Sequence, residues 1–224
     1  MHFVVLSYPR TGSTVIQRLI NADSNSMCVG EKPMVINHLY DFYASIEDAM
    51  LVIPSLFPEI PLDDDKNPVY RADHVDMGLL KHMLREVFEE VVLARGNTPN
   101  IGWKENFISP FADGDIADKQ IKFIHDLFPG IRFILNLRDP VETAKSPIWR
   151  VRDSAVEEIQ IRRQWMVDRY EAGFFGNDAL LLNYDEWSQD GNVIIAALQS
   201  FGFSINNNDA QRILGERLTH LSNI

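Results

Sequence analysis

Phe3-Val4-Val5-Leu6-Ser7, then Tyr8-Pro9-Arg10-Thr11-Gly12-Ser13-Thr14, then Val15-Ile16-Gln17-Arg18-Leu19-Ile20: here the chain passes from an apolar run through a tight turn into an amphipathic stretch. Phe3 to Ser7 reads as a short buried strand. Gly12 to Asn21 reads as a helix with Val15, Ile16, Leu19 and Ile20 on one face. A strand, a turn and a helix start in that order aim free backbone N–H groups at one point, and the helix dipole favours an anion there. Gly12 lets the backbone approach closely. Arg10 adds positive charge, and Ser13 and Thr14 add hydroxyl donors. Arg10, Thr11, Gly12, Ser13 and Thr14 are therefore the anion-binding candidates. The bland alternative is a plain strand-to-helix connection with Ser/Thr capping. The loop is not a Walker A motif, because GxxxxGK[ST] is absent together with its lysine and its Mg²⁺-binding hydroxyl.

Outward from this stretch, strand and helix signals keep alternating. Ser26 to Gly30 reads as a second strand and Val35 to Val52 as a helix. Ile53 to Asp73 holds four prolines and the acidic run Asp63-Asp64-Asp65, and reads as a loop that is either a lid or a solvated surface excursion. Asp76 reads as the N-cap of a long helix to Arg95, with Leu80, Leu84, Val87 and Val91 as its buried stripe and Gly96 ending it. Further strands are expected at Ile101 to Glu105, Arg132 to Leu137 and Ala179 to Asn183. Helices are expected at Ile116 to Leu127, from Asp139-Pro140, from Asp153 or Ser154 to Phe174 with Glu157 as a capping-box partner, at Asn192 to Phe201 and at Asn208 to His220. This order implies one α/β domain over residues 1–224, a three-layer sandwich with a central parallel sheet and helices on both faces. Ligands on such sheets bind beyond the carboxyl ends of the strands, so the residues just after each strand carry the functional signal.

Composition narrows the classes. The chain has 224 residues, is 46% hydrophobic and carries a net charge of −11. That acidity argues against nucleic acid and against a highly anionic polysaccharide as partner, although a few basic residues can still converge on one cleft. No run approaches the ~18 to 20 apolar residues that span a bilayer, and Met1 to Arg10 lacks the pattern of a signal peptide, so a cytoplasmic protein is expected. Cys28 is the single cysteine; it excludes an internal disulfide and reads as a buried thiol. His38, His74, His82, His125 and His220 are scattered, and no metal-ligand cluster is visible.

A second motif follows the strand Arg132 to Leu137: Arg138-Asp139-Pro140-Val141-Glu142-Thr143-Ala144-Lys145-Ser146. Arg138 leaves a strand end on the ligand side of the sheet. Ser146, about two helical turns on, can face the same cleft, and Pro147 right after it is a point where the helix can break. A guanidinium fork suits a phosphate dianion. Together the two motifs resemble PAPS-dependent sulfotransferases, where PAPS is 3′-phosphoadenosine-5′-phosphosulfate. Tyr-Pro-Arg-Thr-Gly-Ser-Thr is similar to that family's 5′-phosphosulfate loop, usually Pro-(Lys/Arg)-Ser-Gly-(Thr/Ser)-Thr. Arg138 and Ser146 match the Arg and Ser of its 3′-phosphate site in type, spacing and context.

The resemblance runs from Phe3 to about Trp187 and is closer to small bacterial-type members than to the cytosolic aryl and steroid enzymes. It implies a P-loop-like fold, a PAPS co-substrate, no metal and a small-molecule acceptor. Leu181-Leu182-Asn183-Tyr184-Asp185-Glu186-Trp187 is similar to the family's Tyr-Glu-Asp-Leu segment; by resemblance Tyr184 lies near the adenine, and otherwise it is an aromatic closing the sheet edge. Gly102-Trp103-Lys104-Glu105-Asn106 stands where cytosolic members have Lys-x-His. The resemblance implies that Lys104 holds the sulfuryl oxygens and that Arg10 offsets charge on the leaving phosphate. Asn106 replaces the histidine and cannot act as a base. Glu31, in Val29-Gly30-Glu31-Lys32-Pro33, resembles the glutamate base of trehalose sulfotransferase-type members; its alternative is an ion pair with Lys32 or a solvated side chain.

Two departures stand out. Val15 occupies the position of an adenine-stacking Trp, and no Arg-Lys-Gly segment supplies a second 3′-phosphate anchor. The competing functional classes are a nucleotide phosphotransferase on a related fold, which the missing Walker lysine disfavours, and a family member that binds a nucleotide or a protein without turnover.

Overall fold

The computed structural model describes residues 1–32, 34–106 and 114–216. Five strands form one all-parallel sheet in the order β2-β3-β1-β4-β5: β1 His2–Ser7, β2 Ser26–Val29, β3 Asn100–Glu105, β4 Arg132–Leu137 and β5 Leu180–Asn183. In the central strands β1 and β4 every residue after the first is buried. Near-continuous apolar runs are what a parallel sheet covered on both faces requires. Side chains of β1 alternate between the faces: Val4, Leu6 and Tyr8 enter one core and Phe3 and Val5 the other. The order places β1 between β3 and β4, so the connections leave it on opposite sides. The loop after β1 therefore sits at the point where the strand order reverses, the usual ligand site of such sheets.

The first core lies beneath α2 (Val35–Leu56), α3 (Met77–Val87), α4 (Gly114–Leu127) and α7 (Ala155–Glu171). The second lies beneath α1 (Ser13–Ile20), α9 (Gly191–Phe201) and α10 (Asn207–Gly215). The described residues also include three short helices: α5 Pro140–Ala144, α6 Pro147–Arg150 and α8 Tyr184–Trp187. Cys28 is buried in the second core. No helix among the described residues is long and apolar enough to cross a membrane.

Three local expectations are corrected, and the break expected at Pro147 is found. Helix α2 runs on to Leu56 with Pro54 inside its last turn, so the loop begins later than Ile53. The helix from Asp76, whose carboxylate does cap Leu79 N, becomes a π-helical turn at Phe88–Val92. Val87 is exposed because the buried line steps by four from Leu84 to Phe88; the wider turn then carries that line on to Leu93 and leaves Val91 exposed. The helix from Pro140 stops at Ala144, and Ser146 becomes the N-cap of α6. Pro147 is the cause, since it disfavours helical backbone at the residue before it. Finally, Ser154 pairs with Glu158 Oε1 at 2.7 Å instead of forming a capping box with Glu157. Pro33 and His220, named in the sequence reading, lie outside the described residues.

Candidate active site

The loop after β1 is built from two left-handed residues, Arg10 at φ 78° and Gly12 at φ 85°, on either side of Thr11. Such alternation turns successive N–H groups to one side of the chain and makes an anion-binding concavity. The N–H groups of Arg10 to Thr14 find no acceptor among the described residues. Their carbonyls are held on the other side. Trp149 Nε1 donates to Pro9 O at 3.1 Å, Arg138 Nη1 to Arg10 O at 2.9 Å, and Asn136 Nδ2 to Thr11 O at 2.7 Å. Three donors from β4, its following turn and α6 thus hold three consecutive carbonyls. This offsets the strain of Arg10, a non-glycine residue at positive φ, which costs on the order of 1 kcal/mol or more.

The tethers are themselves anchored. Asn136 Oδ1 accepts Trp187 Nε1 at 3.1 Å, so a fully buried amide links the loop to α8. The Tyr8 hydroxyl donates to Arg138 O at 2.5 Å and accepts Arg138 N at 2.8 Å. Burial pushes the Tyr8 hydroxyl up to about 12, with the hydrogen bond to the Arg138 backbone pulling the other way. Gly12 has a packing reason beyond its φ: a Cβ there would stand 2.5 Å from the Tyr184 ring. Tyr184 also stacks under the Arg138 guanidinium, 4.3 Å from ring to Cζ. Tyr184 therefore packs on the loop itself and on the arginine that follows β4.

Several polar atoms around the loop are buried without a partner: Thr11 Oγ1, Arg138 Nε and Ser146 Oγ. Leaving such groups unmatched is costly, and it is a fit test for an anionic ligand. A ligand with phosphate oxygens has acceptors for all three, together with the free N–H groups of the loop. The residues present thus suit a phosphorylated donor. Among the described residues no three His, Cys, Asp or Glu side chains converge as a metal site.

A second cluster stands across β1, at the ends of β2 and β3. Register pairs Val5 with Lys104 and Leu6 with Glu105, so the strand edges bring Ser7 level with Asn106. Lys104 Nζ lies 3.1 Å from Thr14 Oγ1 and 2.8 Å from Glu31 Oε1. Asn106 Nδ2 donates to the same Glu31 oxygen at 2.6 Å. Ser7 Oγ donates to Asn106 Oδ1. Glu31 pairs with Lys104, not with the neighbouring Lys32, which had been the alternative. Thr14 joins the clusters: it belongs to the loop and touches the lysine.

Of the sequence candidates, Arg10, Thr11, Gly12, Ser13 and Thr14 form the loop, Arg138 and Tyr184 pack against it, and Lys104 with Glu31 reaches it through Thr14. Ser146 enters through the α5–α6 corner, not from a continuous helix. The sequence reading missed Asn136, Trp149 and Trp187 as loop supports. Asn136 did carry a signal, a lone amide in the apolar strand Arg132-Phe-Ile-Leu-Asn-Leu.

The family model described as "Sulfotransferase family" matches residues 3–186. Sulfotransferase STF9 from Mycobacterium avium superposes at a TM-score of 0.50 with 17% identity, over 94% of this chain and 66% of that one. Sulfotransferase STF1 from Mycobacterium tuberculosis H37Rv gives 0.51 with 12% identity, over 95% and 70%. At such identities the likeness concerns the fold, and this chain spans about two thirds of the length of these structures. No curated protein matches the sequence.

Proposed function

The chain belongs to the sulfotransferase family, and from that premise we propose that it transfers a sulfuryl group from PAPS to the hydroxyl or amine of a small-molecule acceptor. The observation that carries this reading is Lys104, whose ammonium joins Thr14 of the anion loop to the Glu31 carboxylate at 3.1 and 2.8 Å. One contact puts a cation, a proton acceptor and the loop together at the strand edges.

The donor supplies a sulfuryl group activated as a phosphosulfate anhydride. The loop N–H groups from Arg10 to Thr14 bind its 5′ end and, with the Arg10 side chain, offset charge growing on the leaving oxygen. An ammonium has three donors; Thr14 and Glu31 take two of those on Lys104, and the third is left for a sulfuryl oxygen. Glu31 takes the acceptor proton as the new O–S or N–S bond forms and the anhydride bond breaks. Arg138 and Ser146 hold the 3′-phosphate, and Tyr184 borders the nucleoside. No residue forms a covalent intermediate in this scheme, so positioning and electrostatics carry the rate.

Two measurements test the reading. Isotopically labelled PAPS with an acceptor library, read by mass shift, identifies the transfer and its acceptor. Thermal shift with 3′-phosphoadenosine-5′-phosphate against ADP tests the donor: at ~100 times its dissociation constant the ligand stabilises by ~2.7 kcal/mol. Equal stabilisation by ADP removes the case for a 3′-phosphorylated donor.

A further inference from the structure

We propose that Asn106 is a positioning residue that divides the Glu31 carboxylate into a held oxygen and a working oxygen. The claim rests on Glu31 as the proton acceptor and concerns how that residue is aimed. Both contacts to Glu31 fall on Oε1, from Lys104 Nζ at 2.8 Å and from Asn106 Nδ2 at 2.6 Å. Oε2 has no hydrogen-bond partner among the described residues. The Glu31 side chain is 30% exposed, whereas Asn106 is buried at 4%. A buried amide therefore holds a partly open carboxylate by one oxygen and leaves the other without a partner among the described residues.

The chain of bonds has a fixed direction. An ionised carboxylate only accepts, so the amide must present Nδ2 to Glu31. Its Oδ1 then faces Ser7, whose hydroxyl donates to it. The carboxylate thus determines which end of Asn106 meets it, Ser7 holds the other end of the amide, and Asn106 determines which oxygen of Glu31 is occupied. Lys104 alone does not do this, because an ammonium on a flexible stem can move between the two oxygens. An amide on a strand edge, anchored at both ends, cannot. The position that carries a titrating histidine in the resembling cytosolic enzymes here carries a group that never titrates and serves to aim one that does.

The infrared spectrum of the Glu31 carboxylate tests this without any acceptor. The spacing of its two C–O stretches reports how unequally the two oxygens are hydrogen-bonded. The bands are isolated from ¹³C-glutamate-labelled protein by subtracting the spectrum of Glu31→Gln. Asn106→Ala should shrink the spacing and Asn106→Asp should shift both bands further, because it sets an acceptor where the donor stood. Ser7→Ala, which leaves Asn106 in place, should give a smaller shift in the same direction, and it decides the matter should the Asn106 variants fail to fold.

Turnover is read as PAPS cleavage with water as acceptor: Asn106→Ala should fall about tenfold while the dissociation constant of 3′-phosphoadenosine-5′-phosphate stays unchanged. Unmoved bands in Asn106→Ala and Ser7→Ala overturn the proposal. Wild-type cleavage by Glu31→Gln instead sinks Glu31 as the base, and the infrared result then decides the positioning claim alone.

Discussion

The two halves of the site are built to different standards of rigidity. On the donor side, consecutive carbonyls of the loop are each held by a separate donor, from Trp149, Arg138 and Asn136, and Asn136 is held in turn by Trp187. The network is largely buried. On the acceptor side, one carboxylate oxygen meets one ammonium and one amide. Later in the chain, α2 and the turns that follow it expose Phe42, Leu56, Phe57 and Tyr70. A nucleotide with fixed phosphates suits the first arrangement, because pre-set N–H groups bind without reorganisation. An acceptor that differs between family members suits the second, where side chains and not backbone do the recognising.

The largest effect that separates the halves is expected at Glu31. Glu31→Gln should lower transfer by ~10² to 10⁴, the usual worth of a general base, and leave affinity for 3′-phosphoadenosine-5′-phosphate unchanged. Single-turnover transfer and calorimetry measure the two quantities. A parallel loss of donor affinity would mean that the halves are one unit. Gly12→Ala is the opposite experiment. Positive φ and the 2.5 Å approach to Tyr184 should together cost about 2 to 4 kcal/mol of stability. Donor affinity should fall with it, since the loop and the Tyr184 ring must move apart. Chemical denaturation and calorimetry report both; a fully stable variant with intact donor binding would show that the loop is looser than its tethers imply.

The form of the loop after β1 was legible from the sequence because its elements are local: a buried strand, a glycine and a helix start follow one another within residues 3–20. The tethers were not legible, because they join residues far apart in the chain; Asn136 meets Thr11 and Trp149 meets Pro9 only through the β1–β4 pairing and the α5–α6 corner. Lys104 and Glu31 were each named from the family resemblance, but their contact depends on β2 and β3 being neighbours, which no local pattern encodes. The stripe Leu80, Leu84, Val87, Val91 failed at Val87 because the buried line steps by four from Leu84 to Phe88, and beyond it because α-helical spacing was applied across a π-helical turn.

Alkaline pH probes the donor side through Tyr8. Its folded-state value, raised from 10.0 to about 12, means that stability is fully present below pH 10 and is lost as pH rises toward 12. The loss is on the order of 2 to 3 kcal/mol. At neutral pH, Tyr8→Phe should cost about 1 to 3 kcal/mol, because the Arg138 N–H and C=O lose their partner. Phenylalanine does not ionise, so this variant lacks the Tyr8 share of the alkaline loss, and the two stabilities should converge above pH 10. Denaturation curves at pH 7.5 and 10.5 check the sign. A gap that widens at high pH would contradict the assignment.

The smallest effect is expected at Ser146 and is the most specific. Its hydroxyl is buried without a partner and makes no capping bond to α6. Removing an unmatched buried hydroxyl relieves a desolvation cost, so Ser146→Ala should melt at or slightly above the wild-type temperature when no ligand is present. With a 3′-phosphate the same hydroxyl gains a partner, and its loss should weaken binding about fivefold to tenfold, near 1 kcal/mol. Arg138→Ala behaves differently, because Arg138 also holds Arg10 O and stacks on Tyr184; it should lower both stability and affinity. The control ligand is AMP, which lacks the 3′-phosphate. Ser146→Ala should bind AMP as the wild type does and 3′-phosphoadenosine-5′-phosphate more weakly. If both ligands weaken equally, Ser146 supports the corner between α5 and α6 and takes no part in reading the 3′ position. If neither weakens, the 3′-phosphate lies elsewhere and Arg138 serves only the loop.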